Sequence, residues 1–398
     1  MYLLAFFLKK LIREGTLHII DASGKQHSFV GTETPEVTIR FHDALLPLKL
    51  FLKPDLKAGE AFMDGSLTIE GDNSIYDFLY LITKNMEWRP DNAMHLTGGD
   101  PYSRFKSWLA QINPAGRSRK NVAHHYDLSS ELYDLFLDPD HQYSCAYFAT
   151  DGDTLEQAQE NKKNIIAAKL LLEAHHEVLD IGCGWGGLAL HLNKLSGAGV
   201  TGVTLSQEQY DIGQRRAQEN GVADKVKIKF QDYRDVSRKF DRIVSVGMFE
   251  HVGRRQYQTY FDKVYDSLTD DGVALIHTIG RADGPGSTDP WTLKYIFPGG
   301  YAPSLSEVAP IIEKAGLYIT DLEVWRLHYA RTLREWRKRV DANKQAIIDL
   351  YDVRFFRMWS FYLASAEAAF RNMGHVVFQF QLAKKPDVVP LTRDYLFK

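Results

Sequence analysis

The chain has 398 residues, 44% of them hydrophobic, which is ample for packed cores and longer than a single domain usually runs, so two domains are expected and the disordered and fibrous classes are excluded. A formal net charge of -3, with both signs mixed along the chain, removes the broad basic footprint of a nucleic-acid binder. Two cysteines, Cys145 and Cys183, are too few and too far apart for a disulfide framework, and no paired Cys/His spacing resembles a zinc site, so a reducing cytosol and no metal are expected.

The opening stretch, Met1-Tyr-Leu-Leu-Ala-Phe-Phe-Leu-Lys-Lys-Leu-Ile-Arg13, is apolar, but its charges follow the apolar run and no small-residue cleavage site is present, so it makes a poor signal peptide. It also falls short of the ~20 apolar residues that span a bilayer. An amphipathic helix remains, either docked on the protein or lying in a membrane interface. Residues 15–70 read as short strands, Leu17 to Ile20 and Val37 to Phe41 among them, with turns at Ser23-Gly24, Lys57-Ala-Gly59 and Asp64-Gly65. Helical pattern follows at Ile75 to Lys84. These elements predict a small N-terminal α/β domain over 1–90; residues 91–120 read as a linker, and 121–398 as the second domain.

In the second domain Thr154 and Gln157 form a capping box that opens a helix running to about Leu172. Strand and helix then alternate: strand Val178 to Ile181, helix Leu188 to Leu195, strand Val200 to Thr204, and helix Ser206 to Asn220 ended by Gly221. Strands Val226 to Phe230, Arg242 to Val246 and Val273 to His277 follow, with a helix around Tyr257 to Leu268. The alternation predicts an α/β, doubly wound, mostly parallel sheet covered by helices on both faces. Beyond it lie a loop-rich insertion, Gly280 to Pro303, a helix opened by Ser304 and Glu307, a strand near Ile319 to Arg326, long helices at Thr332 to Leu350 and Phe355 to Phe370, and a last strand at Val376 to Leu382.

The segment Val178-Leu-Asp-Ile-Gly-Cys-Gly-Trp-Gly-Gly187 takes a buried strand into a turn with glycine at Gly182, Gly184 and Gly186, directly before a helix. Positions without side chains let a ligand approach the backbone closely. Dinucleotide enzymes share such turns, but Asp180 at the strand end would repel a pyrophosphate and complements a cation. S-adenosylmethionine, with its sulfonium and ammonium, is therefore the expected co-substrate, on a Rossmann-like class I methyltransferase sheet. About 20 residues on, where such folds usually place an acid for the ribose hydroxyls, the strand ends in Thr204-Leu205; Gln209 is the candidate to take over that role, the alternative being a plain helix-start residue. Asp232, beside Tyr233, is the candidate for the adenine amino group.

Four further segments hold a Cys, a Glu, a His and a Tyr: Gln142-Tyr-Ser-Cys-Ala-Tyr-Phe148, Val246-Gly-Met-Phe-Glu-His-Val-Gly253, Ile276-His-Thr-Ile-Gly280 and His328-Tyr-Ala-Arg-Thr-Leu333. Glu250 and His277 follow strands whose C-terminal ends form the ligand-binding edge of such a sheet. Together with His125-Tyr-Asp-Leu-Ser129 and Tyr295-Ile-Phe-Pro-Gly-Gly300, these segments resemble the cyclopropane-fatty-acyl-phospholipid synthases of bacteria. The resemblance covers the whole chain, is strongest between about residues 120 and 335, and includes an N-terminal domain that the shorter mycolic-acid cyclopropane synthases lack.

The resemblance implies that a cis double bond in a membrane phospholipid is converted to a cyclopropane, with S-adenosylhomocysteine released. An alkene is a weak nucleophile, so its π electrons must meet the sulfonium methyl in a dry pocket, and a base must then take a proton so that the ring closes. In this family the base is taken to be bound bicarbonate, whose ligands here would be Glu250, His277 and Tyr329 through side chains, and the segments at Cys145 and Ile279 largely through the backbone. Bicarbonate beside ionised Glu250 is a like-charge pair, so either His277 donates to it or Glu250 shares a proton. No covalent intermediate is needed, and a Cys145 thiolate would compete for the methyl; His251 reads as structural. The resemblance also puts Tyr143 and Ser144 on the cofactor's methionine portion, has Tyr126 close over it, and gives Trp291 to Tyr301 to the acyl pocket, with core packing as the alternative. One departure from the family pattern is His328 before Tyr329, where relatives often carry Asp.

With no anchor in the sequence, membrane contact is expected to be peripheral and reversible, at the inner face of the membrane of a cytoplasmic homodimer. The basic residues Arg331, Arg334, Arg337, Lys338, Arg339 and Lys344 are one candidate surface, against a plain solvated face, and the N-terminal domain is the other. Three other functions compete with cyclopropanation: methylation of an unsaturated acyl chain without ring closure, small-molecule O- or N-methylation, and noncatalytic lipid binding. Glu250, His277 and Tyr329 argue against the last two.

Overall fold

Alternating burial along Glu36–Phe41, with Val37, Ile39 and Phe41 turned inward, marks the centre of a small sheet in a computed structural model that describes residues 1–32, 34–86 and 129–397. Tyr126 and the expected linker lie outside the described residues. The chain opens with α1 (Tyr2–Leu11). Strand β1 (Thr16–Ile20) pairs antiparallel with β2 (Gln26–Val30) and parallel with β3 (Glu36–Phe41). Then come α2 (Leu46–Leu52), α3 (Pro54–Met63), β4 (Leu67–Glu70), antiparallel to β3, and α4 (Ile75–Lys84), opened by a Ser74/Asp77 capping box. Both α2 and α3 were absent from the strand reading of this stretch. Each is short and carries a proline in its first turn, Pro47 in α2 and Pro54 in α3, where the missing N–H costs nothing. The turn expected at Lys57-Ala-Gly59 is instead mid-helix: a Cβ on Gly59 would stand 2.4 Å from the Trp291 indole nitrogen, so glycine there serves close packing.

The larger sheet has seven strands in the order β10-β11-β9-β8-β5-β6-β7. A short α5 (Ser130–Asp134) and α6 (Leu155–Lys169) precede β5 (Glu177–Ile181), followed by α7 (Gly187–Ser196), β6 (Gly199–Thr204), α8 (Gln207–Glu219), β7 (Val226–Phe230), β8 (Phe240–Val246), α9 (Tyr257–Ser267) and β9 (Leu268–Arg281). The five strands from β7 to β9 are mutually parallel. After α10 (Pro290–Tyr295) and α11 (Leu305–Lys314), β10 (Tyr318–Trp325) pairs antiparallel with β11 (His375–Ala383). Two buried clusters cover the sheet: one around Ile243, Phe261, Val308 and Phe380, the other around Ile166, Leu188, Ala217 and Val244. This is the expected doubly wound, mostly parallel class I methyltransferase fold.

The stretch expected to be one helix over 332–350 is two, α12 (His328–Ala342) and α13 (Lys344–Leu350), broken at Asn343, whose amide nitrogen donates to the Arg339 carbonyl and competes with helix continuation. The last helix, α14 (Val353–Asn372), packs on α4 and α3. Residues 287–298 and 330–375 accordingly cluster with the N-terminal elements in one compact unit, and the described residues 129–286, 299–329 and 376–397 form the other. The boundaries thus differ from the expected 1–90 and 121–398. The reason is long-range: the Trp291 and Phe361 rings meet at 4.7 Å, tilted to each other, within the first unit, and the carboxylate of fully buried Glu367 binds Arg337 and Arg371 there.

Candidate active site

Asp180 ends β5 and is 1% exposed; its Oδ2 has no hydrogen-bond partner, and burial pushes its carboxyl up to about 7, opposed only by the ammonium of Lys162. A buried carboxylate without a partner is costly, so Asp180 is suited to compensate a cation brought against it. The turn beyond it holds Gly182, Gly184 and Gly186 at positive φ. At Gly184 (φ +55°) an added Cβ would meet nothing within 4 Å, which leaves open space over the backbone. At Gly182 it would strike Met248 at 2.8 Å, so the turn carrying Glu250 lies directly against the glycine loop. These residues fit a cationic, closely approaching ligand such as S-adenosylmethionine.

The segment 138–148 is fastened over the same loop. Asp140 pairs with Lys163 at 2.5 Å and with Arg216, whose Nη1 also donates to the Trp185 carbonyl. Gln159 donates to the Gln142 and Ser144 carbonyls, and the fully buried Lys162 ammonium donates to Gln142 Oε1 (2.6 Å) and Ser144 Oγ (2.9 Å). Tyr143 packs edge-on against Tyr133, which in turn meets Trp185 of the glycine loop. Cys145 is buried, with its thiol directed to the Ala146 carbonyl.

Along the sheet edge Val246 pairs with His277, and the Gly247 amide donates to the His277 carbonyl at 3.0 Å. Glu250 Oε1 accepts the Ile279 amide at 2.6 Å, while its Oε2 is buried without a partner, and burial raises the carboxyl to about 7. Burial holds His251 down to about 4 and His277 well below the usual histidine range, the latter helped by the charges of Lys162 and Lys169. His277 is therefore neutral, and Glu250 carries a proton up to about neutral pH. Both features answer the like-charge difficulty, because a neutral imidazole and a protonated carboxyl can donate to an anion such as bicarbonate.

Tyr329 is 8% exposed, in the first turn of α12. Its neighbour His328 accepts the Phe148 amide at Nδ1 (3.1 Å) and stacks on Tyr147 at 4.5 Å, which ties this turn to the Cys145 segment. Trp325 then links Tyr147 (4.9 Å) to His277 (5.2 Å). The structure therefore draws Ser144, Cys145, Gly182, Glu250, His277, Ile279 and the Tyr329 turn together. Thr204, Leu205, Gln209 and Asp232 lie on the adjoining edge. Gln209 is buried and accepts from the Thr204 hydroxyl (2.7 Å), and Asp232 binds Arg234 and caps the turn at Tyr233.

Two residues of the aromatic insertion fill cores. Trp291 directs its indole N–H to Met63 within the first unit, and the Tyr301 hydroxyl donates to Glu307 within the second. On the basic helix Arg337 is turned to Glu367, and Arg334 and Lys338 to Glu335. Glu173, His175 and His176 gather at the exposed turn before β5, where the Glu173 amide already donates to His176 Nδ1. Sequence reasoning missed Lys162, Lys169 and Gln379. The signal was there in part: Gln159, Lys162, Ile166 and Lys169 share one helical face, with three polar side chains on the buried stripe.

The family model for mycolic acid cyclopropane synthetase matches residues 114–380. A probable fatty acid methyltransferase from Pseudomonas putida is 35% identical over 384 residues, 92% of each chain. The cyclopropane-fatty-acyl-phospholipid synthase of Escherichia coli K12 is 46% identical over 247 residues, a match that spans 62% of this chain and 63% of that one. Among solved structures, mycolic acid cyclopropane synthase CmaA1 complexed with SAH and CTAB superposes with a TM-score of 0.63 at 31% identity, over 68% of this chain and 99% of that one.

Proposed function

The chain belongs to the mycolic acid cyclopropane synthetase family, and on that premise we propose that it adds the methylene of S-adenosylmethionine across a cis double bond of a phospholipid acyl chain. The products are a cyclopropane fatty acyl chain, S-adenosylhomocysteine and a proton. The observation that carries this reading is the Glu250 carboxyl, clamped by the Ile279 amide with its second oxygen buried and unpartnered beside neutral His277. Ordinary methyl transfer to oxygen or nitrogen has no need of such an anion-binding group.

When bound, S-adenosylmethionine supplies an electrophilic methyl and bicarbonate a proton acceptor. The chain's own residues do the rest. Asp180 compensates the cationic co-substrate, and the glycine loop lets it lie on the backbone. Glu250, His277 and Tyr329 would hold the acceptor, the first two by donating hydrogen bonds to it while keeping their protons, with the backbone around Cys145 and Ile279 beside them. Tyr143, Ser144 and Tyr126 belong to the methionine end of the cofactor, Thr204, Leu205 and Gln209 to the ribose, and Asp232 with Tyr233 to the adenine.

The substrate lies in a bilayer, and no helix among the described residues is long and apolar enough to cross one. We place the chain at the inner face of the membrane as a cytoplasmic homodimer, and one surface of the first unit supports its peripheral docking. Tyr2, Leu3 and Phe6 on α1, and Leu45, Leu48, Phe51 and Leu52 at α2, are all exposed, and α1 and α2 are in contact. Lys9, Lys10, Lys49 and Lys53 accompany them, all exposed. A twofold pairing of this patch would set lysines against lysines, whereas anionic headgroups complement them.

A second reading, methylation without ring closure, is favoured by the 35% identity over 384 residues to a probable fatty acid methyltransferase. Incubation with S-adenosylmethionine and unsaturated phospholipid vesicles tests both: mass spectrometry should find acyl chains heavier by one CH2. No gain rejects both, and NMR of the product separates a ring from a methyl branch.

A further inference from the structure

Beneath His277 lies a chain of buried polar side chains that no step above uses. Lys169 near the end of α6 and Gln379 in β11 are each 1% exposed, and His277 in β9 is 2% exposed. The Lys169 ammonium pairs with Glu323 of β10 and donates to Gln379 Oε1 at 2.7 Å. Gln379 Nε2 meets His277 Nδ1 at 3.0 Å. Gln381 Nε2 donates to the Lys169 carbonyl at 2.7 Å and holds the helix end in place.

We propose that Lys169 and Gln379 are positioning residues that fix His277 as the tautomer carrying its proton on Nε2. An ammonium has only donors, so it accepts no orientation of the Gln379 amide except the one with Oε1 towards it. That orientation sends the amide N–H to His277 Nδ1, which must then be the acceptor. In a neutral imidazole the proton is left on the other nitrogen. His277 is thereby a permanent Nε2–H donor, ready to hold an anionic proton acceptor rather than compete with it for protons. Glu323 pairs with the ammonium and holds it in place, and the positive charge of Lys169 disfavours a second proton on the ring.

The proposal rests on the reading that His277 binds the proton acceptor, and its test separates the two. In protein labelled with 15N-histidine, His277 of the unaltered chain should show a pyridine-type Nδ1 and a protonated Nε2 at neutral pH. Gln379→Glu keeps the shape and the Lys169 contact but replaces the donor with an acceptor, so the proton should move to Nδ1. Turnover should then fall at least on the order of 100-fold, the lower end of what a positioned proton-transfer group contributes, with KM for S-adenosylmethionine unchanged. Gln379→Leu, which imposes neither tautomer, should lose less turnover than Gln379→Glu; a purely structural role predicts the reverse order. A protonated Nδ1 in the unaltered chain, or an unmoved proton in Gln379→Glu, overturns the relay. A moved proton with undiminished turnover upholds the relay and overturns the role given to His277.

Discussion

An isolated carboxylate in a low-dielectric interior gains a proton before it stays charged, and Asp180 and Glu250 both show this, each raised to about 7. The sign follows from linkage: a carboxyl whose folded pKa lies above its unfolded value stabilises the fold at acid pH, and that contribution is lost as pH rises through the folded value. The ligand-free protein should therefore melt at lower temperature as pH rises through about 7. Asp180→Asn should flatten part of that slope in thermal denaturation. The same change should weaken S-adenosylmethionine about 10- to 100-fold in titration calorimetry, since a charged hydrogen-bonding partner contributes about 1.5–3 kcal/mol. Unchanged affinity would show that Asp180 does not face the cation. Lys162 opposes the raised pKa of Asp180 and is itself lowered to about 8 by burial. Its hydrogen bonds to Gln142 and Ser144 hold that strip of backbone in place.

At the scale of elements, α6 carries most of the support. Its polar face holds the 142–144 strip through Gln159 and Lys162 and reaches Gln379 through Lys169, seven residues on from Lys162, or about two helical turns. The Thr154/Gln157 capping box closes its first turn, with Thr154 Oγ1 accepting the Gln157 amide at 3.2 Å. Thr154→Ala should cost about 1 kcal/mol and lower the melting temperature by roughly 2–4 °C. Because the cap lies two turns from Lys162, turnover at temperatures well below melting should hold within about twofold. A large loss of turnover with no loss of stability would mean that the cap acts on the site rather than on the helix.

Over the whole molecule, the net charge of -3 hides a local asymmetry that matters more than the sum. Seven of the eighteen exposed large hydrophobic residues among those described lie on α1 and at α2, and the lysines there have the sign that anionic lipid attracts. Exposed apolar patches of this kind mark interaction surfaces. α1 docks on the protein through Leu4, Leu8 and Leu11 and is apolar on its outer side. Sedimentation with anionic vesicles should weaken as salt rises or anionic lipid is removed. Phe6→Glu combined with Leu48→Glu should reduce it at least tenfold while leaving turnover on detergent-dispersed lipid intact. If sedimentation is undiminished, membrane contact lies elsewhere, and the basic face of α12 becomes the next surface to alter.

The strand and helix alternation, the capping boxes at Thr154 and Ser304, the glycine loop behind Asp180 and the placing of Glu250 and His277 at one sheet edge were legible from sequence, because each depends on residues near one another in the chain or on the fixed edge of a parallel sheet. The spacing of Gln159, Lys162, Ile166 and Lys169 along α6 held a partial signal that sequence reasoning passed over. It reports burial, however, and not the partner: Gln379 lies 210 residues from Lys169, and Trp291 contacts Met63 across 228. Only the tertiary structure could show that Lys169 meets Gln379 and Gln379 meets His277, that burial raises the Glu250 carboxyl, and that residues 287–298 and 330–375 cluster with the N-terminal elements. Those outcomes depend on which groups share a low-dielectric interior, and that is decided when distant segments pack.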